Sequence, residues 1–164
     1  RDLVFTYDPV GNRKSIFDNI LFAWTTYTYD PKSRLTQDAT MGANTHTYDY
    51  TYDGNDNRLT STETGALSTW TYDIANRMVT SVEGSALTTY TFETNGNLTG
   101  INEAAGLTTM AYDKENRLIS HITHDTATPT TYTYDGDGLK RAEITNSSRT
   151  TLMWDGSDYL GEKS

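Results

Sequence analysis

Residues 66–84 read ALSTWTYDIANRMVTSVEG, and the alternation in this stretch decides the fold. Ala66, Ser68, Trp70 and Tyr72 share one face of an extended strand, and Leu67, Thr69 and Thr71 share the other, because successive strand side chains point to opposite sides. Asp73-Ile74-Ala75-Asn76 then supplies residues that turn the chain through their own side-chain hydrogen bonds. Arg77 to Glu83 is a second extended run, closed by Gly84-Ser85. One period therefore predicts two short strands and two tight turns. Such short connections exclude a parallel crossover, which needs a dozen or more residues, so the strands pair antiparallel.

The same unit recurs along the whole chain. Its anchors are Tyr7, Tyr29, Tyr52, Tyr72, Phe92, Tyr112, Tyr134 and Trp154, spaced 20 to 23 residues apart. Most are followed by Asp: Asp8, Asp30, Asp53, Asp73, Asp113, Asp135 and Asp155. A fixed period of this size marks a repeat architecture, in which each unit buries its apolar face against its neighbours. Residues 1–164 are expected to form a single array of about eight repeats of roughly 21 residues. The array is already running near residue 5 and begins at Arg1, so the chain reads as a fragment of a longer protein.

Each anchor has a partner two residues earlier: Phe5/Tyr7, Tyr27/Tyr29, Tyr50/Tyr52, Trp70/Tyr72, Tyr90/Phe92, Met110/Tyr112, Tyr132/Tyr134 and Leu152/Trp154. These pairs predict one broad, mostly aromatic, dry face. The opposite face is read as wet and Thr-rich, as in Thr28, Thr51, Thr71, Thr91 and Thr133. A Leu or Met follows the turn at Leu35, Leu59, Met78, Leu98 and Leu118. No sustained 3.6-residue apolar period predicts a helix.

Composition narrows the function. Leu, Ile, Val and Phe make 27 of 164 residues, about 16%, with a net charge of −9. Those values alone would indicate disorder; the regularly placed 12 Tyr and 3 Trp supply the missing burial. With no Cys there is neither a disulfide framework nor a thiolate metal site. The acidic balance opposes nucleic-acid binding. No apolar run is long enough for a membrane helix, and the short, Thr-faced strands do not suit a lipid-facing barrel, so no membrane insertion is expected.

The turn-flanking pieces YDPVGNR (7–13), YTYDPKSRL (27–35), YTYDGNDNRL (50–59), WTYDIANRM (70–78), MAYDKENRL (110–118) and YTYDGDG (132–138) resemble the Rhs or YD-repeat family. The resemblance spans residues 5 to 158. TFETNGNLT (91–99) lacks both the Tyr-Asp pair and the Arg, YDGDGLKRAE (134–143) displaces its Arg to Arg141, and Tyr159 stands where the last unit would carry one. The resemblance implies an all-β chain of tandem antiparallel β-hairpins, forming a curved or spiralling sheet that is part of a barrel-like shell. Relatives include bacterial Rhs polymorphic toxins, the B and C components of insecticidal toxin complexes, wall-associated repeat proteins and teneurins. It further implies a non-catalytic segment, secreted or on a bacterial cell surface, whose partners are the rest of a larger chain and an enclosed toxin or other polypeptide cargo. Asp8-Pro9-Val10-Gly11 is similar to the family's DPxG self-cleavage motif, but it lacks a downstream partner, so the autoprotease is not carried over.

Candidate chemistry is sparse. The repeated Asp residues offer oxygen ligands for Ca²⁺, most densely at Asp53–Asn57 and Asp135–Gly138, but they serve as well to cap their own turns. Arg13, Arg34, Arg58, Arg77 and Arg117 recur just after the turns, placed to stack on Tyr or pair with Asp; a comb for acidic glycans is the alternative. His121 and His124 are three apart on a strand and face opposite ways. Asn97-Leu98-Thr99 and Asn146-Ser147-Ser148 match glycosylation sequons by pattern only. No nucleophile, phosphate-loop or dinucleotide motif appears, and neither an enzyme activity nor a cofactor is expected. The competing reading is an adhesion or carbohydrate-binding module using the aromatic face. Self-association through unpaired edge strands is the remaining partner expectation.

Overall fold

A computed structural model describes residues 2–42, 44–146 and 148–164; Arg1, Ala43 and Ser147, the last inside the second sequon, lie outside the described residues. The chain divides into two units, residues 1–86 and 87–164. In the first unit β1 (Leu3–Tyr7), β2 (Arg13–Asp18), β3 (Ala23–Tyr29), β4 (Leu35–Met41), β5 (His46–Tyr52), β6 (Arg58–Glu63), β7 (Ala66–Tyr72) and β8 (Met78–Glu83) follow one another. Each is hydrogen-bonded to the next in antiparallel sense.

The second unit repeats the arrangement with β9 (Ala86–Phe92), β10 (Leu98–Glu103), β11 (Gly106–Tyr112), β12 (Leu118–Ile122), β13 (Thr130–Tyr134), β14 (Lys140–Thr145), β15 (Ser148–Asp155) and β16 (Asp158–Lys163). Its ladder is also sequential and antiparallel. Both units are therefore all-β meanders of hairpins, with no helix among the described residues.

A feature absent from the alternation rule is a β-bulge in every hairpin that carries an anchor. Thr71 pairs with Thr80 while Tyr72 pairs with Met78, so Val79 is the extra residue. Equivalent shifts fall just before Tyr7, Tyr29, Tyr52, Phe92, Tyr112, Tyr134 and Trp154. A bulge bends its strand and re-aims the next side chain. Met78 and Ser81, three apart, consequently lie on the same face as Tyr72 and Trp70, their cross-strand partners.

The core is thin. Ala142 and Leu152 are the buried apolar residues, alongside Ser15, Asp18, Thr40 and Ser81, and among the described residues no large side chain is fully buried. Most anchors are half-buried, whereas Thr28, Thr51, Thr71, Thr91 and Thr133 are exposed. Hydroxyl pairs tie the exposed face across strands: Thr51–Thr60 at 2.7 Å and Thr71–Thr80 at 2.6 Å. That face is not uniformly polar, however. Val4, Trp24, Met41, Leu67, Leu87 and Leu107 are all exposed on it, near the second turns of their hairpins.

Candidate functional site

The turn after each anchor is built the same way. Asp73 donates its N–H to the Arg77 carbonyl at 2.9 Å, and Asn76 donates back to the Asp73 carbonyl at 3.0 Å. Asp73 Oδ1 accepts the N–H groups of Ala75 and Arg77 at 2.8 and 3.0 Å. Asp8, Asp30, Asp53, Asp113 and Asp135 accept two amides in the same geometry. The fourth residue beyond the anchor then takes a positive φ: 95° at Gly11, 60° at Asn76 and 60° at Asn116. Gly and Asn tolerate this left-handed conformation best.

These hydrogen bonds hold the carboxyls of Asp30, Asp73 and Asp135 below the usual value of 3.8, chiefly through the backbone N–H groups of Arg34, Arg77 and Leu139. At Asp53 the Asn57 side chain is the largest cause. With Oδ1 committed to the backbone, the Asp residues act as turn caps. Among the described residues no group of three or more His, Cys, Asp or Glu is placed to hold a metal ion. Asp155 differs: it ends β15 opposite Asp158 across a two-residue Gly156-Ser157 connection.

The five Arg residues fall into two classes. Arg34, Arg77 and Arg117 stand five residues after their anchors and grip their own Asp through Nε at 2.7, 2.7 and 2.6 Å. Asn12, Asn57 and Asn97 occupy that fifth position in the intervening repeats. Asn12 and Asn57 donate Nδ2 to Asp8 and Asp53 at 3.0 and 2.9 Å. Asn97 bonds to Glu93, which replaces Asp in its repeat. Arg13 and Arg58 stand one residue later and stack instead. The Arg13 guanidinium lies 5.4 Å from the Phe5 ring, and that of Arg58 lies 4.5 Å from Trp70 and 5.8 Å from Tyr50. Displaced Arg141 still reaches Asp135, at 2.8 Å.

The same groups join one repeat to the next. Arg34 Nη1 donates to the Asp53 carbonyl at 2.9 Å and to Asp56 Oδ1 at 2.6 Å, while its guanidinium covers the Tyr52 ring at 4.8 Å. Tyr52 in turn donates its hydroxyl to the Leu35 carbonyl at 2.8 Å. Arg117 and Tyr134 repeat this: ring contact at 4.9 Å, and Tyr134 hydroxyl to Leu118 carbonyl at 2.8 Å. Tyr29 reaches Arg13, Tyr72 reaches Arg58, and Trp154 uses its indole N–H on Lys140, each acceptor being the carbonyl six residues after the preceding anchor. That carbonyl sits beside the bulge. In the Asn repeats the link runs to the next turn, from Asn57 to Asn76 at 2.9 Å and from Asn97 to Asn116 at 2.8 Å.

Burial is the first cause raising Tyr29, Tyr132 and Tyr134 above the usual phenol value of 10. Tyr112 breaks the pattern, its hydroxyl directed at Met110 Sδ at 3.9 Å. Tyr7 is the most open anchor, 59% exposed. Tyr7, Tyr27 and Tyr29, with Pro9 and Pro31, line an open groove of about 510 Å³ between the first two anchor turns. His121 lies flat against Tyr132 and meets its hydroxyl at 3.1 Å.

The comparisons with known proteins agree with this geometry. The family model described as Teneurin YD-shell matches residues 67–146. No curated protein matches the sequence. Among solved structures, TcdB2-TccC3-Cdc42 aligns over 94% of this chain with a TM-score of 0.75 at 14% identity. TcdB2-TccC3 without its hypervariable C-terminal region aligns over 94% with a TM-score of 0.73 at 15% identity. The chain spans about a tenth of the length of either solved chain.

Proposed function

We propose that this chain, built of Rhs/YD repeats, is one array within a longer protein and forms part of the wall of a shell that encloses a polypeptide cargo. The observation that carries the reading is the inter-repeat latch. An anchor hydroxyl or indole N–H is fixed to the main chain of the preceding hairpin at five joints within the two units. Stacked cations close the rings of Tyr52, Trp70 and Tyr134. Side chains arranged this way resist sliding and separation of neighbouring hairpins, which is what a wall requires. The repeat signature is therefore read as structural: the Tyr/Trp anchors join hairpins, the Asp residues shape turns, and Arg or Asn connects the two. The wall itself is non-catalytic, and its setting is secreted or on the bacterial surface.

The glycan-binding alternative needs open aromatic platforms. Tyr50, Trp70 and Tyr132 are half-buried, and Arg58 and Lys140 stand over their rings, which favours the wall. The test uses the full-length protein that contains this array. If the array walls a cargo, cargo peptides resist protease until Tyr52→Phe and Tyr134→Phe together loosen it. Cargo cleaved at the same rate with and without the array would overturn the reading.

A further inference from the structure

One carboxylate oxygen lacks a donor. Asp38 Oδ1, in the middle of β4, is closed off from solvent and accepts no hydrogen bond, the one such side-chain atom among the described residues. Leaving a charged acceptor in this condition is unfavourable. Asp38 lies on the anchor face, in register between Tyr27 of β3 and Tyr48 of β5. His46 Nε2 stands 3.7 Å from Oδ1, with the imidazole 32% and the carboxylate 24% exposed. That gap is too long for a hydrogen bond and short enough for an ion pair.

The other ring nitrogen fixes where the first proton sits. His46 Nδ1 lies 2.7 Å from the Asn44 carbonyl, which can only accept, so Nδ1 carries the hydrogen. In the neutral ring Nε2 is then a lone pair facing a carboxylate oxygen, two acceptors with no hydrogen between them. A second proton, on Nε2, makes it a donor to Oδ1. The contact then becomes a charge-assisted hydrogen bond of about 2.7–2.9 Å, reached by an approach of about 1 Å. Both ring nitrogens and the orphaned oxygen are satisfied together only in this protonated state.

Other groups on the neighbouring strands do not replace this pairing. β3 presents Tyr27 and Tyr29, and β5 presents Tyr48, edge-on to the imidazole with ring centroids 5.0 Å apart, and Tyr50 beyond it. β6 presents Glu63, which accepts the Tyr48 hydroxyl at 2.7 Å, and Arg58, whose guanidinium lies over Trp70 and Tyr50. Asp49 is on the opposite face, bonded to Gln37 at 2.7 Å. Thr40, opposite His46 in register, is joined to Thr25 at 2.8 Å. Among the described residues His46 is thus the one basic group paired with Asp38. We propose that His46 and Asp38 form a proton-operated clasp between β4 and β5, open while the imidazole is neutral and closed when mild acid protonates it. The paired strands gain stability as pH falls through the histidine range and lose it as pH rises.

Two measurements on the whole chain test the clasp. In the first, NMR follows the nitrogen chemical shifts of the His46 ring from about pH 8 to about pH 5.5. The expected result is a neutral ring protonated on Nδ1, with Nε2 gaining its proton in acid; a neutral ring protonated on Nε2 would overturn the proposal. In the second, urea unfolding over the same range gives the folding equilibrium constant. On acidification it should rise by about three- to fivefold more in the parent than in His46→Gln, the size expected of a partly exposed ion pair. His121 and His124 are common to both chains and cancel in the difference. Asp38→Asn offers the neutral ring an amide donor, so the response should be lost or reversed in that variant. Equal responses in the parent and His46→Gln, or a response that survives Asp38→Asn, would each overturn the clasp. The ring shifts of the unmodified chain decide the matter even where a variant fails to fold.

Discussion

Replacing Tyr52 by Phe removes one oxygen atom and isolates a single element of the latch. The hydroxyl donates to the Leu35 carbonyl at 2.8 Å, while the ring, which lies 4.8 Å from the Arg34 guanidinium, stays in place. A neutral hydrogen bond contributes about 0.5–1.5 kcal/mol net, and a buried acceptor left unsatisfied costs about 1–3 kcal/mol. Tyr52 is half-buried, so water can partly replace the lost donor, and the expected cost is about 1 kcal/mol. For a chain of this size that corresponds to a fall in Tm of about 2–4 °C. Urea unfolding gives the free energy directly, because a lower midpoint with an unchanged slope reports stability alone. Tyr112→Phe is the internal control. Its hydroxyl faces only a thioether at 3.9 Å, and a loss below about 0.5 kcal/mol is expected. Equal losses for the two variants, or no loss for Tyr52→Phe, would refute the assignment of the hydroxyl to joining hairpins.

Further outcomes follow from the same geometry. Asp30, Asp53, Asp73 and Asp135 have folded values below 3.8, so their contribution is complete above 3.8 and is lost as pH falls through the lower folded values. Acid titration followed by circular dichroism should show unfolding in that range, and Asp73→Asn should flatten the transition while lowering stability at neutral pH. Tyr29, Tyr132 and Tyr134 have folded values above 10, so their contribution is complete below 10 and is lost as pH rises through the raised values. Ultraviolet titration should find these phenols ionising above 10, coincident with alkaline unfolding. Gly42→Ala should destabilise by about 1–3 kcal/mol in thermal melts, since the residue sits at a φ of 97° and its methyl would strike the Phe22 carbonyl. Arg58→Met should change Trp70 emission by uncovering the indole, with Arg34→Met as the unaffected control.

The repeat, its antiparallel hairpins and the all-β class were legible because strand alternation is a local property. Ala66–Tyr72 forms β7 as its pattern indicates. The bulges were not legible, since an extra residue such as Val79 shows only when the partner strand is in register. Aligning the Arg residues with one another also concealed their division. Counting from each anchor would have shown Asn12, Arg34, Asn57, Arg77, Asn97 and Arg117 alternating at one position. It would also have moved Arg13 and Arg58 to the next position, where the geometry calls for stacking. The exposed row on the Thr-rich face escaped for a similar reason. Val4, Phe17, Trp24 and Met41 come from four strands and become neighbours only through register.

The alternation explains how an array tolerates unlike repeats. In the first six repeats the position five residues after the anchor satisfies its own Asp or Glu, and at Asn12, Arg34, Asn57, Asn97 and Arg117 it also touches the following repeat. Arg does both with a long planar fork, reaching the next Asp carbonyl from Arg34. Asn does both with a short amide, because the residue it meets next, Asn76 or Asn116, is turned toward it by its positive φ. The anchor position is similarly permissive: Trp154 substitutes an indole N–H for a hydroxyl and still reaches the Lys140 carbonyl. What the five latched joints share is a donor at a fixed reach, not a fixed residue. Phe92 brings the ring but no hydroxyl, and its repeat keeps the turn through Glu93 and Asn97. In a nearest-neighbour array a substitution at one joint leaves the others intact. A wall assembled from separately satisfied joints can therefore accept local variation in sequence without losing its hairpin order.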